Sequence, residues 1–276
     1  MLGHRLVMEL REHGETFGTL RRCYADYVSA GVFQESTTFS GFNATDDAQL
    51  DGVLRSSRPD VVFNAIAVLR PERAEKECIE VNSILPRRLA DRCKAGGIRV
   101  LHVSTDGVFS GRAGYYNETA VPDAEDLYGR SKLLGEVLVP HVLNLRTCVV
   151  GRELGTRRSL VEWFLSRRGT TVRGYSKAVM NGFTAPALAG LMSRIALQAP
   201  NLHGIWHLGG EPISKFRLLE LVNDAYECRA SLEPDDSVVC DRSLDARGLL
   251  RQIPLALPDW NKMIQALARD STRYDN

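Results

Sequence analysis

The chain has six cysteines, at 23, 78, 93, 148, 228 and 240, but no Cys-x-x-Cys pair. Its six histidines, at 4, 13, 102, 141, 203 and 207, fall at no metal-ligand spacing. Both facts argue against a zinc scaffold or a disulfide framework, and no metal site is expected. Scattered thiols in a chain of 276 residues point to a reducing, cytoplasmic setting. An excess of one charge is also missing: 35 Lys and Arg face 34 Asp and Glu, a net charge of +1. A nucleic-acid partner calls for a basic excess or patch, so none is expected. No apolar run approaches the roughly 18 residues that span a bilayer, so no membrane partner is expected either. The stretch Met1–Leu10 carries Arg5 and Glu9 inside its apolar pattern, unlike a secretory signal. The last absence is a strand: the chain starts directly in a helical pattern.

What is present is an ordinary globular composition, 44% hydrophobic and 25% charged, ample for one large domain or two smaller ones. Leu2, Leu6, Val7 and Leu10 share one helical face, and Gly14 is a stop. Strands are expected at Thr16–Leu20, Asp60–Ile66, Arg99–Thr105, Asn144–Val150 and Gly204–Leu208. Helices are expected from an N-cap at Asn43–Thr45 through Leu54, then over Pro71–Lys94 and Glu125–Val139. Further helices fall at Ser159–Ser166, Ala185–Leu197 and Lys215–Tyr226. Strands alternating with helices over residues 1–150 predict an α/β fold with a doubly wound parallel sheet, helices on both faces. Residues 151–276 read as a smaller α+β region, with segments near 183–209 returning to the first domain.

The sharpest local signal is Tyr128-Gly-Arg-Ser-Lys132. Residues i and i+4 of a helix are neighbours, and a cation beside a phenol lowers the phenol pKa. Tyr128 is therefore a candidate proton donor or acceptor, although an exposed helix pair has the same spacing. Ser104-Thr105-Asp106 ends a predicted strand, and ligands of doubly wound sheets sit beyond the carboxyl ends of the strands. A loop or helix cap would use the same residue types. Asn64-Ala-Ile-Ala67 ends the preceding strand, where small residues admit either a cofactor or a tightly packed helix.

Thr105, Tyr128 and Lys132 in this order resemble the extended branch of the short-chain dehydrogenase/reductase superfamily. Within it the chain is similar to the dTDP-4-dehydrorhamnose reductase and sugar-nucleotide reductase family. The matching stretches are Arg58–Ala67, Val81-Asn82, Val103–Asp106 with Val108-Phe109, Leu127–Lys132 with Gly135-Glu136, Leu145–Thr147, Gly204–Leu208 and Pro258–Trp260. The resemblance implies a Rossmann-type NAD(P)-binding domain over 1–150. It implies that Tyr128 protonates the substrate carbonyl, that Lys132 holds the nicotinamide ribose, and that Thr105 binds the reacting oxygen with Asp106 beside it. Ser104, Asn64, Ala65, Ala67, Val68 and Leu69 would line the cofactor, with Asn82 near the active site. Asn181 and Thr184 would line the substrate cleft. A homodimer through the helices Pro71–Lys94 and Glu125–Val139 is common in this superfamily.

Arg21 and Arg22 follow the second strand position of such a fold. An acidic residue there grips a ribose 2′-hydroxyl, whereas Arg accommodates a 2′-phosphate, so NADPH is preferred over NADH. A solvated basic turn has the same composition. Met1, Leu2 and Gly3 match only the tail of the glycine-rich dinucleotide turn; the first strand and the first two glycines are absent. Either the native start lies upstream and Met1 is internal to that turn, the favoured expectation, or the turn is truly lost and cofactor binding with it. After Arg146-Thr147 the chain reads Cys148-Val-Val-Gly-Arg152, without the Trp of the rhamnose enzymes. Arg152, Arg157 and Arg158 are candidates for a nucleotide diphosphate, or solvated charges at a helix start. The leading expectation is NADPH-dependent reduction of the 4-keto group of a nucleotide-activated deoxysugar. The alternatives are an epimerase or dehydratase holding NAD, and a non-catalytic regulatory subunit resembling the methionine adenosyltransferase β subunit.

Overall fold

The structure, a computed structural model, describes residues 1–69 and 74–274. The first half runs α1 (Leu2–Arg11), β1 (Gly18–Thr19), β2 (Thr38–Phe39), α2 (Asp47–Ser57), β3 (Val61–Asn64), α3 (Glu75–Cys78), a π-helical turn (Ile79–Ile84), α4 (Leu85–Ala95), β4 (Arg99–Val103), α5 (Leu127–Leu134) and β5 (Val142–Arg146). The second half runs β6 (Val149–Val150), α6 (Leu160–Leu165), β7 (Thr171–Tyr175), β8 (Ala178–Met180), β9 (Phe183–Thr184), α7 (Ala185–Gln198), β10 (Gly204–His207), β11 (Ile213–Ser214), α8 (Lys215–Ala225), β12 (Ser231–Asp235), β13 (Cys240–Asp241), α9 (Arg247–Gln252) and α10 (Trp260–Ala268). The helix start expected at Pro71 lies outside the described residues.

The chain is α/β. Its main sheet has the order β10-β5-β4-β3, and all three pairings are parallel. β1 and β2 pair with each other in parallel as a separate two-stranded sheet and form no ladder with β3 among the described residues. Side chains of a strand alternate between faces, and the burial follows. Val100 and Val142 pack into one core with Leu85 and Leu89 of α4, whereas Leu101, Leu143 and Leu145 pack into the other with Leu2 and Leu6 of α1 and Leu188 of α7. Leu101 and Leu143 are fully buried, so truncating either to Ala costs about 2–5 kcal/mol. The second core runs on through Leu218, Met263 and Ile264 of α8 and α10.

Of the boundaries that differ from the sequence reading, three are explained by hydrogen bonds. The helix after Asn43–Thr45 is capped by Asp46, whose side chain accepts from the Gln49 N–H, while Asn43 Oδ1 is taken by Thr45. The strand expected over Asn144–Val150 is split into β5 and β6. Between them the Thr147 carbonyl accepts from the Asp106 N–H and the Cys148 carbonyl from the Phe183 N–H, so the chain leaves the ladder and β6 pairs with β9 instead. Helix α5 starts at the N-cap Asp126, whose carboxylate accepts from the Gly129 N–H at 2.7 Å, and it stops at Gly135 rather than Val139.

Candidate active site

The site is built where β4 ends and α5 begins. Thr105 follows β4, and its hydroxyl accepts from the Gly107 N–H at 3.0 Å, capping a short 3-10 turn over Asp106–Val108. Helix α5 is seated by a glycine near each end. A Cβ on Gly129 would lie 2.2 Å from the Gly107 carbonyl oxygen, and one on Gly135 would lie 2.0 Å from the Asn82 carbonyl oxygen. Neither position admits a side chain, so α5 sits directly on backbone at both places. That close approach brings the Tyr128 ring against Gly107, beside the Thr105 turn.

The electrostatics correct one expectation. The proximity of Lys132 does not lower the Tyr128 pKa: burial pushes it up to about 12, against the hydrogen bond from Thr105 and with Asp106 and Cys148 adding to the rise. The reason is geometric. The Lys132 amine donates to the Val103 carbonyl at 2.7 Å and meets His102 Nε2 at 3.3 Å. Burial lowers the Lys132 pKa to about 8, with Glu136 and Cys78 acting in the opposite direction. Asp106 is buried, which raises its pKa; Arg242, the Thr105 hydroxyl and Lys215 oppose the rise. Burial likewise lifts the Cys148 thiol well above its usual range, with Asp106 in the same direction and Lys215 and Arg242 against it. Tyr128, Thr105, Asp106, Cys148, Lys215 and Arg242 thus form one electrostatic cluster, reaching from the β4–α5 junction to α8 and the residue after β13.

Around it, Asn82 lies in the π-helical turn, a feature often found at functional sites. Its amide pairs with the Val68 backbone in both directions, at 2.8 and 3.0 Å, and also donates to Ser131 Oγ. Asn64 Oδ1 accepts from the Ile66 N–H, and Asn64 Nδ2 faces His102. Ala65, Ala67 and Val68 are half-buried and Leu69 is exposed. The Ser104 hydroxyl is committed to Glu136 at 2.6 Å.

The remaining predicted residues sit as follows. Leu2 is buried in the core, and Gly3 is exposed with nothing within 4 Å of an added Cβ. Burial lowers the pKa of the Met1 amine, against Glu153 and Glu162. Arg21 pairs with Glu77 at 2.5 Å and Arg22 with Asp26 at 3.0 Å, both in solvent. Arg152 is bound by Glu162 at 2.6 Å and lies over the Tyr274 ring. Arg157 and Arg158 line an open hollow with Ser159, Leu160 and Trp163. The Asn181 amide is fully occupied by backbone, accepting from the Leu244 N–H and donating to the Leu244 and Gly210 carbonyls. It ties two loops together. Thr184 is buried and precedes α7. Sequence reasoning missed His102, Cys148, Lys215 and Arg242; only strand register and tertiary packing bring these four to the site.

A parallel sheet, a Thr at the end of β4 and a Tyr-x-x-x-Lys helix docked beside it define an oxidoreductase-type chain of the extended short-chain dehydrogenase/reductase class. The family model described as the RmlD substrate binding domain matches residues 1–240, and the chain belongs to that family. Methionine adenosyltransferase 2 subunit beta of Danio rerio is 25% identical over 229 residues, covering 75% of this chain and 68% of that protein. A dTDP-4-dehydrorhamnose reductase of Aggregatibacter actinomycetemcomitans is 29% identical over 186 residues, covering 63% of each; this chain thus spans less than two thirds of that relative. Among solved structures, a hypothetical dTDP-4-dehydrorhamnose reductase from Sulfolobus tokodaii superposes with a TM-score of 0.76 at 24% identity over 94% of both chains. A Bacillus anthracis dTDP-4-dehydrorhamnose reductase in complex with NADP gives 0.72 at 18% identity, over 90% of this chain and 97% of that one.

Proposed function

We propose that this chain reduces the 4-keto group of a nucleotide-activated deoxysugar, using NADPH, in the manner of a dTDP-4-dehydrorhamnose reductase. The observation that carries the reading is the Tyr128 ring docked against Gly107, beside Thr105 at the carboxyl end of β4, with Lys132 one turn along α5.

The chain's own residues fit a nicotinamide dinucleotide. Ile66 and Leu69 leave apolar surface exposed just past β3, and the adjoining Val68 backbone is clamped by Asn82. Ala65, Ala67, Val68 and Leu69 would line the cofactor, Lys132 would meet its ribose, and Gly3 would leave room at the start of α1. Arg21 and Arg22, exposed and paired with Glu77 and Asp26, would take a 2′-phosphate. When bound, the nicotinamide supplies a hydride. Tyr128 holds its proton at neutral pH and delivers it to the carbonyl oxygen of the sugar, which the Thr105 hydroxyl orients. Lys215 and Arg242 supply positive charge on the substrate side, opposite Asp106 and Cys148. Tyr128→Phe removes the proton and keeps the ring. NADPH oxidation driven by a 4-keto sugar nucleotide should fall by at least about 100-fold with the circular dichroism unchanged; near-wild-type turnover overturns the assignment.

The setting is read as cytoplasmic; no helix among the described residues is long and apolar enough to cross a membrane. Ile79 and Ile84 of the π-helical turn, with Leu134 and Leu138 at and beyond the end of α5, stand exposed. They suit a homodimer through these helices, which sedimentation would reveal. The likeness to methionine adenosyltransferase 2 subunit beta favours a second reading, a regulatory subunit without redox turnover. A stable hetero-partner recovered with this chain, together with absent NADPH oxidation, would select it.

A further inference from the structure

Three polar side chains cross the sheet in one row. Asn64 of β3 is in register with His102 of β4, and His102 with Asn144 of β5. All three are buried, on the face of β4 and β5 that also carries Val100 and Val142. Asn144 is satisfied locally, exchanging hydrogen bonds with the Val137 backbone and donating to the Gly204 carbonyl. Among the described residues His102 has no such backbone partner. Its two ring nitrogens face Asn64 Nδ2 at 3.1 Å and the Lys132 amine at 3.3 Å.

The chemistry of these atoms restricts where the protons can be. Asn64 Oδ1 accepts from the Ile66 N–H at 3.3 Å. Nδ2 is therefore the atom turned toward the ring, and an amide nitrogen only donates. His102 Nδ1 must accept, so the neutral ring carries its proton on Nε2, against Lys132. An ammonium there would set donor against donor, while Lys132 also donates to the Val103 carbonyl at 2.7 Å. A neutral amine relieves the conflict by accepting the Nε2 proton. For Lys132 to be an ammonium, Nε2 must accept, the ring proton must sit on Nδ1, and the Asn64 amide must turn over and release the Ile66 N–H.

We propose that Asn64, His102 and Lys132 are one proton-sharing unit, in which Asn64 fixes the His102 tautomer and His102 sets the charge and station of Lys132. His102 is a positioning residue in this unit. Resting on the site reading above, it links the charge of Lys132 to the loop that starts at Ile66. Burial acts in the same direction as the hydrogen-bond pattern, holding both groups toward their neutral forms. The other groups that act on Lys132 are Glu136, just past the end of α5 and itself held by Arg146 and Ser104, and Cys78 from α3; both favour the ammonium. Tyr128 lies one helical turn before Lys132 on α5.

The test is nuclear magnetic resonance of the full chain with 15N-labelled histidine and 13Cε-labelled lysine, which needs neither substrate nor turnover. His102→Gln assigns the ring signals by their loss. Above the Lys132 titration, His102 should be the Nε2–H tautomer. As the pH falls through that titration, the ring should switch to the Nδ1–H tautomer without becoming an imidazolium. Asn64→Asp places an acceptor permanently on Nδ1 and should raise the Lys132 pKa by at least about one unit, a tenfold gain in proton affinity. An Nδ1–H ring above the Lys132 titration, or a Lys132 titration that leaves the ring shifts unmoved, overturns the proposal. The wild-type spectra decide even if a variant fails to fold. A missing reductase activity leaves these spectra unaffected, so the two readings fail separately.

Discussion

Arg146 and Glu136 form a two-pronged ion pair inside the protein, with Nε and Nη2 each 2.8 Å from a carboxylate oxygen. Both side chains are 3% exposed. Glu136 also takes the Ser104 hydroxyl, and Arg146 meets His207 and lies over the Phe109 ring. Removing one partner leaves an unmatched buried charge, which costs about 3–5 kcal/mol. Glu136→Ala should therefore lower the denaturant midpoint strongly without changing the slope of the transition, as urea unfolding would report.

Acid should weaken the fold through its buried histidines. Burial lowers the pKa of His4 from 6.5 to about 3 and also lowers those of His102 and His207. The unfolded chain then takes up these protons first. Their stabilising contribution is complete above about pH 6.5 and declines as the pH falls toward the folded-state values. Each histidine contributes a slope of about 1.4 kcal/mol per pH unit. Asp106, whose pKa is raised, offsets part of the loss once it protonates in the folded state. His4→Gln should flatten the fall in Tm between pH 6 and 4 by about one proton's worth.

Gly135→Ala should displace α5. The new methyl would lie 2.0 Å from the Asn82 carbonyl oxygen, a backbone atom that cannot swing aside. A forced shift of this kind costs about 1–3 kcal/mol. Because Asn82 clamps the Val68 backbone, nucleotide affinity should fall along with Tm; fluorescence titration with NADPH and a thermal scan check both.

Arg21→Glu with Arg22→Glu tests the choice of nucleotide. Both arginines are exposed and their ion pairs lie in solvent, where such pairs contribute little, so the fold should be unaffected. NADPH affinity should drop by at least about tenfold while NADH affinity holds, read as two dissociation constants. An equal loss for both nucleotides would remove the arginines from the 2′-phosphate.

What could be read in the sequence was local. Tyr128 and Lys132 are four residues apart on one helix, and Thr105 follows a strand, so their types and order were enough to single them out as candidates. The pKa direction of Tyr128 was not legible, because burial and the turning of Lys132 toward Val103 depend on how α5 docks. Lys132 meets His102 only because β4 lies under that helix, and a histidine inside a strand gives no signal of which face it takes. Asn181 and Arg152 looked like substrate ligands by position; the hydrogen bonds that occupy them come from residues up to 63 apart in sequence. The split of the 144–150 strand was hidden for the same reason, since the carbonyls that leave the ladder are claimed by distant amides.

The seat of α5 is main chain on both sides, the carbonyl of Gly107 under Gly129 and that of Asn82 under Gly135. Main-chain atoms are present whatever the side chains are. The position of Tyr128 is therefore insulated from drift in the residues that surround it. Cys148, Lys215 and Arg242, which act on the same cluster from other elements, can change without moving it. On the proposed function, a chain built this way separates the choice of substrate from the placement of its chemistry.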